Sequence, residues 1–327
     1  MKNLQNKIFN VKTASEFNQL SIDIFRYQYR ENSVYRQYVD LLNIVPEQVT
    51  QLNEIPFLPI DFFKTHKIVS GKTTTDFYFQ SSGTTNQIRS KHFISDIEIY
   101  KQSFVQSFNQ FYGDFRDYCF LALLPTYLEQ QHSSLVFMMD YFIQNSSCTE
   151  SLFLLNDFEK LASILDKLEK KKQKTILFGV SYALLDFAAY YNKSLQYTVV
   201  METGGMKGKR EELTKKELHR VLHKSFDTTI HSEYGMTELL SQAYSKKNGK
   251  FYSPPWMKIL IRDRYDPFSY LQPNKIGGIN IIDFANINSC CFIETQDLGK
   301  LNSDDSFELY GRFDVADTRG CNLMIER

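Results

Sequence analysis

Apolar residues recur at helical spacing in three stretches, each preceded by a start signal. Thr13 and Glu16 form a capping-box pattern ahead of Phe17, Leu20, Ile24 and Tyr27. Ser95 and Glu98 repeat it ahead of Tyr100, Phe104 and Phe108. Asn156 with Glu159 precedes Phe158, Leu161, Leu165 and Leu168. Each spacing predicts a helix. The Lys170 to Lys174 cluster closes the third, as a solvated last turn that complements the helix dipole. Short apolar runs lie between: Tyr118 to Leu124, Thr175 to Val180 and Tyr197 to Met201 read as buried strands. Their alternation with helices predicts an α/β fold with a largely parallel sheet.

Past about Phe251 the texture changes. Trp256 to Ile261, Gly278 to Phe284, Cys291 to Glu294 and Phe307 to Tyr310 are strand-like runs separated by Pro, Gly, Asn and Asp turns. The expected organisation is α/β lobes over residues 1–250 and a smaller β-rich lobe over residues 251–327.

Composition narrows the function classes. With 327 residues, 43% of them hydrophobic, the chain can bury a large core. Lys plus Arg and Asp plus Glu are 38 each, so there is no basic excess of the kind a nucleic-acid binder shows. The N-terminus has no apolar signal-peptide core, and no apolar run approaches the roughly 20 residues of a membrane span. The cysteine count is five (Cys119, Cys148, Cys290, Cys291, Cys321) and no CxxC pair occurs. An odd number without that spacing disfavours a disulfide framework or a Cys-based zinc site, and free thiols in a reducing cytoplasm are expected. Cys119, Cys148, Cys290 and Cys291 read as core. His219 and His223 lie at i, i+4, and a solvated helix face is the expectation for them; His66 and His92 show no partner pattern.

Four segments carry candidate chemistry. Ser81-Ser82-Gly83-Thr84-Thr85-Asn86 follows the strand-like Asp76 to Gln80, and such a loop presents backbone N–H groups and four hydroxyls to one point, as polyphosphate binding requires. It is not a Walker A sequence, and a Ser/Thr-rich surface turn is the plain alternative. Met201-Glu202-Thr203-Gly204-Gly205-Met206-Lys207 is Gly-rich after a strand, a place where backbone can approach a flat ring, or simply a β-turn. Glu233-Tyr234-Gly235-Met236-Thr237-Glu238 ends in a carboxylate, the ligand type a hard divalent ion takes. Gln296-Asp297-Leu298-Gly299 is followed by Leu309-Tyr310-Gly311-Arg312-Phe313-Asp314.

In this order the segments resemble the SSGTTG phosphate loop, the YGxTE motif and the TGD and GRxD pair of the adenylate-forming superfamily. Asn86 stands where Gly is usual, and Gln296 precedes Asp297 where the TG would be. The resemblance implies the α/β fold of that superfamily's N-terminal domain, with sheets flanked by helices, and ATP and Mg²⁺ as cofactors. It implies phosphate contacts from Ser81, Ser82, Gly83, Thr84, Thr85, Thr237 and Arg312, with Arg89 or Lys91 as the nearby basic residue. Gly204, Gly205 and Tyr234 would lie along adenine, Asp297 on the ribose hydroxyls, and Glu238 on the metal. His132, followed by Ser133 and Ser134, either lines the acyl pocket or starts a capped helix.

Ile55-Pro56-Phe57-Leu58-Pro59-Ile60 with Phe63-Lys64, and the terminal Arg319-Gly320-Cys321-Asn322-Leu323, resemble LuxE-like acyl-protein synthetases. Typical superfamily members continue into a small domain that carries a Lys used in adenylation. Here no Lys follows Arg312, in keeping with a branch that lacks that domain. The resemblance implies activation of a fatty or other carboxylic acid to acyl-AMP, then transfer to Cys321 as the catalytic thiol. An acyl reductase or acyl-acceptor protein would be the partner. Arg319, His132 or His231 are the candidates for activating the thiol. An acyl- or aryl-CoA ligase core completed by another chain, and a non-catalytic nucleotide- or lipid-binding scaffold, are the competing readings.

Overall fold

The computed structural model of the protein describes residues 2–72, 75–82, 88–126, 128, 130–155, 157–204 and 213–313. The chain opens with helices α1 (Lys2–Gln5), α2 (Ala14–Glu31) and α3 (Ser33–Leu41), then a short strand β1 (Leu58–Pro59) and helix α4 (Phe62–Thr65). A hairpin of β2 (Tyr78–Gln80) and β3 (Lys91–Phe93) precedes helix α5 (Ile97–Tyr112). Strands and helices then alternate: β4 (Cys119–Leu123), α6 (Ser134–Asn145), β5 (Leu152–Phe153), α7 (Phe158–Lys170), β6 (Thr175–Val180), α8 (Ser181–Tyr190), β7 (Thr198–Thr203), α9 (Lys215–Phe226) and β8 (Ile230–Tyr234). Strands β9 (Ala243–Ser245), β10 (Met257–Arg262), β11 (Ile276–Asp283), β12 (Phe292–Leu301) and β13 (Phe307–Arg312) complete the fold.

The six-stranded sheet has the order β5-β4-β6-β7-β8-β9, parallel except for β9. Every residue of β4 and β6 is buried, as expected for parallel strands covered by helices on both faces. The second sheet runs β1-β12-β11-β10. The first half of the long strand β12 pairs with β1 in parallel, and its second half pairs with β13 antiparallel. Helix α2 is fastened to this second sheet by a buried glutamine. The Gln28 amide donates to the carbonyls of Asn286, Ile287 and Ser289 and accepts from the N–H of Cys291. No helix among the described residues is long and apolar enough to cross a membrane.

Helix starts follow cap chemistry. Thr13 caps α2 with the full box to Glu16, as expected. For α5 the cap is Asp96, not Ser95. The Asp96 carboxylate accepts from the N–H of Glu98, and the Ser95 hydroxyl is buried with no hydrogen-bond partner among the described residues. Asp157 caps α7 through the N–H of Lys160, and Asn156 lies outside the described residues. A further box, Thr214 with Glu217, starts α9. Cys119, Cys290 and Cys291 are fully buried, whereas Cys148 is only half-buried.

Candidate functional site

In open α/β sheets, ligands bind beyond the carboxyl ends of the strands. Here Tyr234 ends β8, and its ring packs edge-on against Phe251 and Phe307. Its hydroxyl donates to Asp297 Oδ2 at 2.8 Å. The other Asp297 oxygen accepts from Arg312 Nε at 3.2 Å, across the β12–β13 pair in which these two residues are partners. Tyr234, Asp297 and Arg312 thus form one network across the two sheets. Asp297 is almost buried and the Arg312 side chain is exposed, so the charge pair faces outward where a ligand could meet it.

The hairpin β2–β3 carries the candidate phosphate loop. Its ends are clamped: Ser81 N–H donates to the Ser90 carbonyl, and Ser90 N–H donates to the Ser81 hydroxyl at 3.0 Å. Gly83, Thr84, Thr85 and Asn86 lie outside the described residues. Two side chains just past the loop reach the segment after Tyr234. Ser90 hydrogen-bonds the Glu238 carboxylate. His92 lies 2.9 Å from the Thr237 carbonyl through Nδ1 and 2.7 Å from the Ser289 hydroxyl through Nε2. Burial pushes this imidazole down to about 4, so it is neutral at pH 7. A carbonyl only accepts, so the proton sits on Nδ1, and Nε2 accepts from Ser289. The hairpin that carries the candidate phosphate loop is therefore bolted to the Thr237–Glu238 segment from two positions.

Glu238 is buried, and burial raises its carboxyl above the usual range, partly offset by the Ser90 hydrogen bond. Its main chain is held by Asn286, whose amide donates to the Glu238 carbonyl at 2.8 Å. Asp283 accepts from the N–H groups of Leu240 and Ser241 and from the Ser241 hydroxyl, which fixes the segment that follows. A single buried carboxylate suits Mg²⁺, which takes few protein ligands and completes its shell with water and substrate phosphate. Among the described residues no group of three or more His, Cys, Asp or Glu side chains is arranged to hold a metal.

Two further buried carboxylates stand at the ends of β7 and β8. Glu233 hydrogen-bonds the Thr203 hydroxyl, and burial pushes its carboxyl up to about 7. One of its oxygens lies 2.5 Å from where a Cβ on Gly235 would be. Gly235 therefore leaves room for the Glu233 carboxyl, a reason for glycine that is separate from backbone conformation. Glu202 is fully buried and lies 2.5 Å from Lys215 Nζ and 3.4 Å from His219 Nε2.

Gly204, at φ +68°, follows β7, and its carbonyl accepts from Ser181; Gly205 is outside the described residues. His132 stacks flat on Tyr78, with ring centroids 4.5 Å apart, and donates from Nδ1 to the Tyr78 carbonyl. Its own carbonyl accepts from Gln80, and Ser133 caps α6. His132 thus buttresses the β2–β3 hairpin at a helix start. A cleft of ≈ 590 Å³ opens beside the same hairpin, lined in part by Lys64, Lys67, Arg89 and Lys91. Arg89 and Lys91 both border it. Cys321, Asp314 and Arg319 lie outside the described residues.

Two expectations are corrected. His219 contacts Glu202 and Ser232 and does not lie on a solvated helix face. His92 has partners on both ring nitrogens. His231 is mostly buried against Tyr112, and burial holds its ring down to about 4; Cys321, the thiol it was a candidate to activate, lies outside the described residues. Ser90, Asp283 and Asn286 carried no sequence signal of their own, because each acts across a fold contact.

A family model described as "Acyl-protein synthetase, LuxE" matches residues 10–327. No curated protein matches in sequence. Among solved structures, ATP-bound MatB from Rhodopseudomonas palustris is 16% identical, with a TM-score of 0.55, covering 72% of this chain and 47% of that one. A 2-hydroxyisobutyryl-CoA ligase in complex with 2-HIB-AMP and CoA is 10% identical, with a TM-score of 0.63, covering 95% and 78%. O-succinylbenzoate coenzyme A synthetase (MenE) from Bacillus subtilis, in complex with AMP, is 17% identical, with a TM-score of 0.51, covering 73% and 50%. The chain spans about half the length of MatB and MenE. At these identities the likeness establishes the fold, that of adenylate-forming ligases.

Proposed function

We propose that this chain, which belongs to the LuxE acyl-protein synthetase family, activates a carboxylic acid with ATP and passes the acyl group to a thiol. The observation that carries the reading is the convergence of three separate segments: the hairpin of the phosphate loop joined through Ser90 and His92 to Thr237–Glu238, next to the Tyr234–Asp297–Arg312 network. ATP, AMP and acyl-AMP in the similar structures support the same reading.

In this account Tyr234 and the Gly204–Gly205 stretch flank the base. Asp297 accepts from the ribose hydroxyls, and Arg312, already on Asp297, fixes its orientation. Ser81 to Thr85 and Thr237 hold the phosphates. Glu238 would hold Mg²⁺, which when bound offsets phosphate charge at the reacting centre. The substrate carboxylate attacks the α-phosphorus, the bond to the bridging oxygen breaks, and pyrophosphate leaves. His132, beside the hairpin, borders the acyl entrance. Cys321, as thiolate, then attacks the acyl carbon of the mixed anhydride; a thioester forms and AMP leaves. A fatty acid is the proposed substrate, and an acyl reductase or other acceptor protein is the proposed partner.

Intact mass spectrometry after incubation with ATP, Mg²⁺ and a panel of fatty acids tests this, with and without Cys321→Ala. A hydroxylamine-labile acyl adduct on wild type and none on the variant is expected. AMP release with no adduct would instead support transfer to CoA or another acceptor, as in the CoA ligases that share the fold.

A further inference from the structure

We propose that Cys119 and Cys148 form a redox pair, in which Cys148 takes up a low-molecular-weight disulfide such as oxidised glutathione and Cys119 resolves it to a reversible intramolecular disulfide. Neither the nucleotide site nor Cys321 takes part, so the pair is independent of the proposed function.

Cys119 opens β4, and Cys148 lies in the bend between α6 and β5. Hydrogen bonds lay that bend along the entry to β4. The Ser147 N–H donates to the Arg116 carbonyl at 3.2 Å, and the Ser146 hydroxyl donates to the Tyr118 carbonyl at 2.6 Å. Beyond Cys148, the Ser151 hydroxyl accepts from the Phe120 N–H at 3.0 Å and donates to Cys119 Sγ at 3.6 Å. A tight turn joins these anchors, in which the Ser151 N–H donates to the Cys148 carbonyl at 3.2 Å. The bend is thus pinned on both sides of Cys119, at Tyr118 and at Phe120, and the Cys119 and Cys148 thiols are hydrogen-bonded to each other. Exchange needs such a contact, because the attacking sulfur must reach the sulfur it attacks.

Exposure divides the roles. Cys119 is wholly buried, whereas Cys148 is half-buried and open to a small molecule. Cys290 and Cys291 are wholly buried too, so of these four only Cys148 meets an external disulfide. Glu150 accepts from the Cys148 thiol at 3.4 Å and is itself paired with Lys167 and Lys171, which offset its charge beside a forming thiolate. The Cys148 thiolate attacks one sulfur of oxidised glutathione. A Cys148–glutathione bond forms, and one glutathione leaves as thiolate. Cys119 then attacks Cys148 Sγ, the Cys119–Cys148 bond forms, and the second glutathione leaves with the Cys119 proton. The pair of protein thiols is oxidised and the external disulfide is reduced to its thiols. Burial raises the Cys119 thiol above its usual range, so the second step is the slower and the mixed disulfide on Cys148 is the expected transient.

Peptide mapping by mass spectrometry tests the pair. The folded, reduced full chain is incubated with oxidised glutathione, and remaining thiols are trapped with iodoacetamide under denaturing conditions. Most of the wild-type protein should yield a peptide pair joined through Cys119 and Cys148, absent before oxidation and lost again with dithiothreitol. Cys290 and Cys291 should be trapped as free thiols. In Cys119→Ser the joined pair should vanish and glutathione should remain on Cys148. In Cys148→Ser, Cys119 should stay a free thiol. Glutathione that persists on wild-type Cys148 with no joined pair, or no modification of Cys148 at all, would overturn the assignment. So would a joined pair that forms only in urea concentrations that unfold the chain. The wild-type result needs no variant to fold.

Discussion

His92 couples the β2–β3 hairpin to the Thr237–Glu238 segment, and its buried neutral ring makes a measurable prediction. Its ordinary value is 6.5 and burial lowers it to about 4. In the unfolded chain the ring protonates as pH falls through 6.5; in the folded protein it stays neutral until about 4. Between those values the unfolded state binds more protons. The stability carried by His92 is therefore complete above about 6.5 and is lost as pH falls toward 4. At about 1.36 kcal/mol per pKa unit, the full loss is on the order of 3 kcal/mol, of which about 2 kcal/mol is gone by pH 5.

The perturbation is His92→Asn. It keeps a donor for the Thr237 carbonyl but cannot titrate, and it gives up the edge-on packing of the imidazole against Phe63. At pH 7.5 the variant should be less stable by about 1–3 kcal/mol, from lost packing and the lost hydrogen bond between the ring and the Ser289 hydroxyl. At pH 5 that gap should narrow by about 2 kcal/mol. Urea unfolding of both proteins at the two pH values measures the gap. His231, Glu233 and Asp283 also titrate, and their contributions cancel in the difference between the two proteins. A gap that is the same at both pH values would refute the reasoning.

Other perturbations separate function from stability. Glu238→Gln should abolish most adenylation yet leave the melting temperature unchanged or higher, since it removes a charge that burial penalises; calorimetry and AMP release read the two effects. Asp297→Ala should raise the KM for ATP by roughly tenfold or more, because it removes the acceptor shared by Tyr234 and Arg312. Tyr234→Phe, which deletes only the hydroxyl, should cost less in the same kinetic assay. Gly235→Ala should cost about 1–3 kcal/mol by crowding the Glu233 carboxyl. Most of that cost should vanish in a Glu233→Ala background, and a double-mutant cycle by urea unfolding measures the coupling.

Much of the fold was legible because burial leaves a period in the sequence. The wholly buried, largely apolar β4 and β6 and the stripe of Phe17, Leu20 and Ile24 each mark themselves. β12 was harder. Its apolar run ends at Glu294, but the strand continues through Gln296 and Asp297, because there β13 supplies the ladder partner and places Asp297 beside Arg312. The cap of α5 moved from Ser95 to Asp96, one residue away, a choice between adjacent polar residues that spacing cannot make. In the site, Tyr234, Asp297 and Arg312 announced themselves as motif members. His92 did not. It pairs with Phe79 across the hairpin and faces inward, but Phe93 and Ile94 beside it hide the alternation of the strand. The partners of Glu202 come from α9, and no local pattern joins that helix to β7.

The most direct test of the central claim is ATP–pyrophosphate exchange with purified protein, Mg²⁺ and a panel of carboxylic acids, since exchange reports acyl-adenylate formation independently of the final acceptor. The account predicts exchange that requires both an acid and Mg²⁺ and that falls sharply in Glu238→Gln. Tight ATP binding with no exchange for any acid would contradict it and leave a nucleotide-binding scaffold in its place.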